Sequence, residues 1–73
     1  MSVRLIKMPE VMRRTGNGKA WIYRLISQGR FPRPVKVGAR AIAFVESEVD
    51  EWISRRIEER DALISTKPQV TLL

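Results

Sequence analysis

Residues 15–45 read TGNGKAWIYRLISQGRFPRPVKVGARAIAFV, and the placing of glycine, proline and apolar side chains in this stretch decides the fold. Thr15-Gly16 stops one helix, because glycine takes the left-handed cap at no steric cost. Asn17 or Gly18 caps the next helix, which is predicted to run to about Gln28. With Ile22 as reference, Leu25, Ile26 and Gly29 fall within roughly 60° of it at 100° per residue, so they form one apolar stripe. Ala20, Tyr23, Arg24 and Ser27 fall on the opposite face, with Lys19 and Trp21 on its two flanks. Gly29 ends this helix, and Pro32 and Pro34 forbid its continuation. Two short helices about three residues apart have the spacing of a helix-turn-helix. Val35-Lys36-Val37 then alternates as a strand does, Gly38-Ala39-Arg40 turns, and Ala41 to Val45 is a second apolar run. These pieces read as a β-hairpin, and a hairpin after a helix-turn-helix is a wing.

The flanks supply the cover that two short helices need. Upstream, Met8-Pro9-Glu10 opens a first helix from about Pro9 to Arg14, with proline where no donor is lost and Glu10 at the positive end of the dipole. Val3 to Ile6 is predicted as a short strand with Leu5 facing inward. Downstream, Glu46 or Ser47 begins the longest helix. Val49, Trp52, Ile53, Ile57 and the stem of Arg56 mark its inner face, and Glu51 with Arg55 forms a favourable i,i+4 pair. Phe31, Phe44 and Trp52 belong to the core or its edge. For Trp21, packing against the hairpin is the expectation and stacking at a nucleic-acid boundary the alternative. From Thr66, TKPQVTLL has no partner pattern and reads as a frayed tail. Residues 1–64 are thus expected to form one domain and residues 65–73 a flexible tail. The expected fold class is mainly α with a β-hairpin, a winged helix-turn-helix.

Composition narrows the function. The chain has 73 residues, with no cysteine and no histidine. Disulfides, Cys/His zinc sites and thiol or imidazole chemistry are therefore excluded together. No phosphate loop is present, and the acids sit mostly on a helix that reads as scaffold, so an enzyme is not expected and neither is a cofactor or metal. No apolar run approaches the ~18 residues of a membrane span. The start, MSVRLIKMPEV, does not read as an export signal, and a cytoplasmic location is expected.

Charge is the positive clue. Residues 1–45 carry ten Lys/Arg against one acid, +9, while residues 46–73 carry four against seven, −3, for a net +6. A basic segment beside an acid-balanced one implies a positive face, and such a face meets phosphate. Lys19, Ala20, Tyr23, Arg24 and Ser27 are the candidates to enter a major groove. Arg24 can grip guanine with two hydrogen bonds, Ala20 can meet a thymine methyl, and Lys19 can bind phosphate. Arg24 has no carboxylate three or four residues away: those positions hold Ala20, Trp21, Ser27 and Gln28. Arg30 and Arg33, in the stiff RFPRP loop, are candidates for backbone phosphate. Lys36 and Arg40 on the wing are candidates for an adjacent groove. Arg13 and Arg14 complement the negative end of the first helix.

The run L-x-x-x-x-EV…TG…IYRLI-x-x-G-RFPRPVKVG-x-R-A-x-AF-x-ESEV-x-x-W resembles the AlpA-type regulators of prophages and integrative elements, which are similar to small excisionases with a MerR-like winged-helix fold. The resemblance covers residues 4–60 and is most specific from Ile22 through Trp52. It implies binding to double-stranded DNA at an integrase promoter or attachment site, as transcriptional regulator, as excisionase (recombination directionality factor), or both. It also implies contact with an integrase and self-association on adjacent DNA sites. Trp21 departs from that pattern, which usually has Thr or Gln there. The alternative is a protein-interaction adaptor or anti-repressor on the same fold, using the acid-rich third helix and the apolar Val70, Leu72 and Leu73.

Overall fold

Pro9 and Gly16 bracket the first helix. The computed structural model describes residues 2–65, and in it α1 runs Met8–Thr15 with Pro9 in the first turn. The Lys7 carbonyl accepts the amides of Glu10 and Val11 at 3.0 and 3.1 Å. Gly16, at φ 72°, closes the helix and donates its amide to the Met12 carbonyl at 2.9 Å. The Thr15 hydroxyl donates back to the Val11 carbonyl, and its oxygen accepts the Asn17 amide, which fixes the turn between helices. Helix α2 follows at Lys19–Ser27 with Gly18 as its N-cap. At its far end Gly29 has φ 71°. Gly29 donates to the Ile26 carbonyl at 3.0 Å and Arg30 to the Leu25 carbonyl at 2.8 Å, the paired bonds of a Schellman cap.

Strands β1 (Leu5–Ile6), β2 (Val35–Lys36) and β3 (Ile42–Val45) form an antiparallel sheet in the order β1-β3-β2. The register pairs Ile6 with Phe44 on one side and Val35 with Ala43 on the other. The Val37 amide donates to the Ala41 carbonyl at 2.9 Å, closing the expected hairpin. Helix α3, Glu46–Ser65, leaves β3 with no intervening loop. Its first amide donates to the Arg4 carbonyl at 2.8 Å, so β1 is tied to the start of α3 as well as to β3.

Ile6, Val11, Ile22, Leu25, Phe31, Phe44 and Val49 form the core, with Met8, Met12, Ile26, Ile42, Trp52 and Ile53 packed around it. Every helix and the sheet contribute, and no polar or charged side chain is buried among the described residues. Three helices on a small three-stranded sheet with a projecting hairpin are a winged helix-turn-helix, the fold class expected from the sequence.

Three expectations are corrected. Leu5 faces outward, 44% exposed, and Ile6 is the buried residue of β1. Directly paired residues share a face, so Ile6 opposite the fully buried Phe44 must point inward and Leu5 must not. Ile57 is 46% exposed because a 20-residue helix, roughly 30 Å long, outruns the core it packs on, and its core contacts stop at Ile53. Trp21 does not join the core as expected: it is 48% exposed and lies about 40° past Leu25, outside the arc that Ile22 and Leu25 fill. The tail from Thr66 lies outside the described residues.

Candidate nucleic-acid interface

Helix α2 has two unlike sides. Ile22 and Leu25 are buried, while Lys19, Ala20, Tyr23, Arg24 and Ser27 are all exposed. The Ser27 hydroxyl donates to the Arg24 carbonyl at 2.8 Å. Its hydrogen is thus engaged within the helix, and its oxygen is left to accept from an incoming donor. The Arg24 guanidinium meets no carboxylate among the described residues and lies over the Trp21 ring, 5.5 Å from its centroid.

The loop that prolongs α2 alternates anchors with cations. Phe31 is buried, edge-on to Trp52 at 4.9 Å and to Phe44 at 6.0 Å. The Trp52 indole N–H donates to the Arg30 carbonyl at 2.8 Å. The loop is therefore held at the Arg30 carbonyl and at the Phe31 ring, and the Arg30 and Arg33 side chains leave it into solvent. On the wing, Lys36 is exposed on β2 and Arg40 is exposed in the turn between β2 and β3. Five of the nine candidates thus share the outward part of one helix, and two leave the loop at its end. Lys36 and Arg40 stand on a separate element, and no hydrogen bond or ion pair joins them to α2.

The cations fall into two sets. Arg13 and Arg14 pair with Glu10, Arg55 with Glu51, Arg56 with Glu59 and Arg60 with Asp61. Lys19, Arg24, Arg30, Arg33, Lys36 and Arg40 have no ion pair among the described residues, and neither do Arg4 and Lys7, which sequence reasoning did not single out. Arg14 does most to bind the elements together. Its Nε donates to Glu10 at 2.7 Å, Nη2 to Glu46 at 2.8 Å and Nη1 to Asp50 at 3.0 Å. Those bonds, that to Glu10 first, raise the Arg14 pKa still further above its ordinary value. Arg14, then Arg13, holds the Glu10 carboxyl below the usual carboxylate range. The Glu10–Arg14 spacing of four was the available signal for part of this cluster. The carboxylates of Glu46 and Asp50 come from the other end of the chain.

Among the described residues, no group of three acidic side chains is placed to hold a metal ion. No helix there is long and apolar enough to cross a membrane. Most acids on α1 and α3 are paired, Glu48 and Glu58 excepted, while the cations of α2, the loop and the wing, with Arg4 and Lys7, have no acidic partner among the described residues.

Comparison with known proteins gives three similarities and one absence. Residues 4–57 match the family described as "Prophage CP4-57 regulatory protein (AlpA)". That span holds the whole sheet, α1, α2 and the packed half of α3. The chain is 40% identical over 57 residues to "uncharacterized protein ORF88" of Enterobacteria phage P4, covering 78% of this chain and 65% of that protein. It is 31% identical over 61 residues to the "DNA-binding transcriptional activator AlpA" of Escherichia coli strain K12, covering 75% of this chain and 87% of that protein. No solved structure matches.

Proposed function

The chain belongs to the AlpA family of prophage regulatory proteins, and from that premise we propose that it is a sequence-specific double-stranded DNA-binding regulator of a prophage or integrative element. Its site of action is the integrase promoter, the attachment site, or both, so that it controls integrase transcription or directs excision. The observation that carries the proposal is the sorting of charge. Among the described residues, six cations chosen from the sequence as DNA contacts have no carboxylate partner, while Arg13, Arg14, Arg55, Arg56 and Arg60 all do.

The mechanism follows from the chemistry of each position. Helix α2 enters the major groove with Arg24 bidentate to guanine O6 and N7, Ala20 against a thymine methyl and Lys19 on phosphate. Tyr23 and Ser27 extend the contact along the same side of the helix. Arg30 and Arg33 hold the backbone beside the groove. Lys36 and Arg40 bring the wing to the neighbouring groove, where a narrow, strongly negative minor groove favours arginine. An excision role adds bending of the attachment-site DNA, contact with integrase and occupation of adjacent sites by several copies.

Footprinting over the element's integrase promoter and attachment region, with gel retardation on the protected duplex, tests this. Protection of discrete sites is expected, and log K should fall with log salt at a slope of roughly −3.5 to −5.5 for four to six phosphate contacts. Protection confined to the promoter would assign transcription control, and protection of the attachment site excision. An absence of retardation on any duplex at moderate salt would discard the proposal in favour of a protein adaptor. Arg40→Ala is expected to weaken binding and reduce the bend angle in circular-permutation gels. An unchanged bend and salt slope would remove the wing from the mechanism.

A further inference from the structure

We infer that Trp21 is a specificity-determining residue of α2, where its indole holds the Arg24 guanidinium in the orientation needed to read a base edge. The inference rests on the DNA-binding role proposed above and adds a residue that neither charge nor helix phase assigns to it.

The two tryptophans of this chain are held very differently. Trp52 is half-buried, donates its indole N–H to the Arg30 carbonyl and packs edge-on to Phe31, so its place is explained by folding. Trp21 is 48% exposed, lies outside the core, and makes no hydrogen bond through its indole N–H among the described residues. Its one described interaction is with Arg24, three residues on, whose guanidinium lies 5.5 Å from the ring centroid. Residues three apart on a helix are neighbours, and a guanidinium at that distance is attracted by the ring's negative face. Arg24 in turn has no carboxylate among the described residues to hold it.

Bidentate recognition of guanine needs the guanidinium plane fixed relative to the base edge. A long arginine side chain that starts free loses rotamer entropy on docking. A ring that confines it beforehand lowers that cost only for the complex in which Arg24 reads its base. Trp21 is therefore a positioning residue, and its effect must appear in preference for sequence and must pass through Arg24.

The test is a double-mutant cycle on Trp21→Ala and Arg24→Ala. The probes are a duplex enriched by the wild-type chain from a randomised pool and a scrambled duplex of the same length. Trp21→Ala should melt within about 2 °C of wild type, since it removes an exposed side chain. It should weaken the enriched duplex about 5- to 10-fold and the scrambled one less than about 2-fold. In the Arg24→Ala background the same change should cost less than about 2-fold. Trp21→Phe, which keeps a ring, should recover most of the affinity, and Trp21→Leu should not. Wild-type affinity for Trp21→Ala, an equal loss on both duplexes, or an equal loss with and without Arg24 would each overturn the inference. An Arg24→Ala protein that binds the enriched duplex normally would instead remove α2 from the DNA-reading role.

Discussion

Among the described residues, Arg14 meets three carboxylates and Arg24 meets none. One side chain type is thus used for cohesion at one position and left available at the other, and substitution separates the two uses. Arg24→Ala should leave the melting temperature within about 2 °C of wild type and weaken specific binding by about 1–3 kcal/mol, with blurred sequence preference. Arg14→Ala should do the reverse, lowering the melting temperature by roughly 5 °C while the preferred DNA sequence stays the same. Thermal melts and gel retardation on both variants check this. An Arg24→Ala protein that melts early and binds normally would exchange the two roles. Arg24's freedom was legible in the sequence because every position within helical reach of it is uncharged. Arg14's engagement was not, because Glu46 and Asp50 lie 32 and 36 residues away and meet it only after β3 has brought α3 back across α1.

Gly18 and Gly29 stand at opposite ends of α2, and a methyl group added at either meets nothing within 4 Å. Backbone conformation alone separates them. Gly18 is extended at φ −78°, ψ 164°, open to any residue, whereas Gly29 is left-handed at φ 71°. Gly29→Ala should therefore destabilise by about 1–2 kcal/mol, and Gly18→Ser should stabilise by a few tenths of a kcal/mol through a side-chain cap that α2 now lacks. Chemical denaturation of the two variants reads both signs directly, and a stabilised Gly29→Ala would contradict the Schellman geometry. Such punctuation is local, which is why α1, α2, the hairpin and the start of α3 were legible from glycine, proline and periodicity. What failed depended on partners distant in sequence. Period-two alternation says that Leu5 and Ile6 point opposite ways but not which points inward, and only the pairing of Ile6 with Phe44 decides it. Trp21 and Ile57 were assigned inward by apolarity. Trp21 lies about 40° outside the filled arc, and Ile57 lies beyond the last core contact of α3. Of the candidate site, the exposure of all nine side chains was legible from helix phase and loop position, while the stacking of Arg24 on Trp21 needed coordinates.

The whole molecule separates its charge by purpose, and acid should expose that separation. The cluster joining α1 to α3 contains carboxylates that can be titrated, whereas the free cations of α2, the loop and the wing are arginines and lysines that stay charged in acid. Glu10 has its folded pKa lowered below the ordinary value of 4.5 by Arg14 and then Arg13. A carboxyl whose folded pKa is depressed contributes stability that is fully present above its unfolded pKa and is lost as pH falls through the folded one. Stability should accordingly be flat between about pH 7 and 5 and fall below about 4.5. In Arg14→Ala, where the largest cause of the Glu10 shift is gone, that acid-dependent loss should be smaller. With no histidine or cysteine in the chain, no side chain has an ordinary pKa between about 5 and 8. DNA affinity at fixed salt should therefore be constant over that range, and below it should track the folded fraction. Melting temperature and retardation midpoint, measured on the same samples from pH 8 to 3, separate the two dependences. Affinity that changed between pH 8 and 5.5 while the melting temperature held constant would mean that a titrating group, rather than the fixed positive charges of α2 and the wing, governs the contact with DNA.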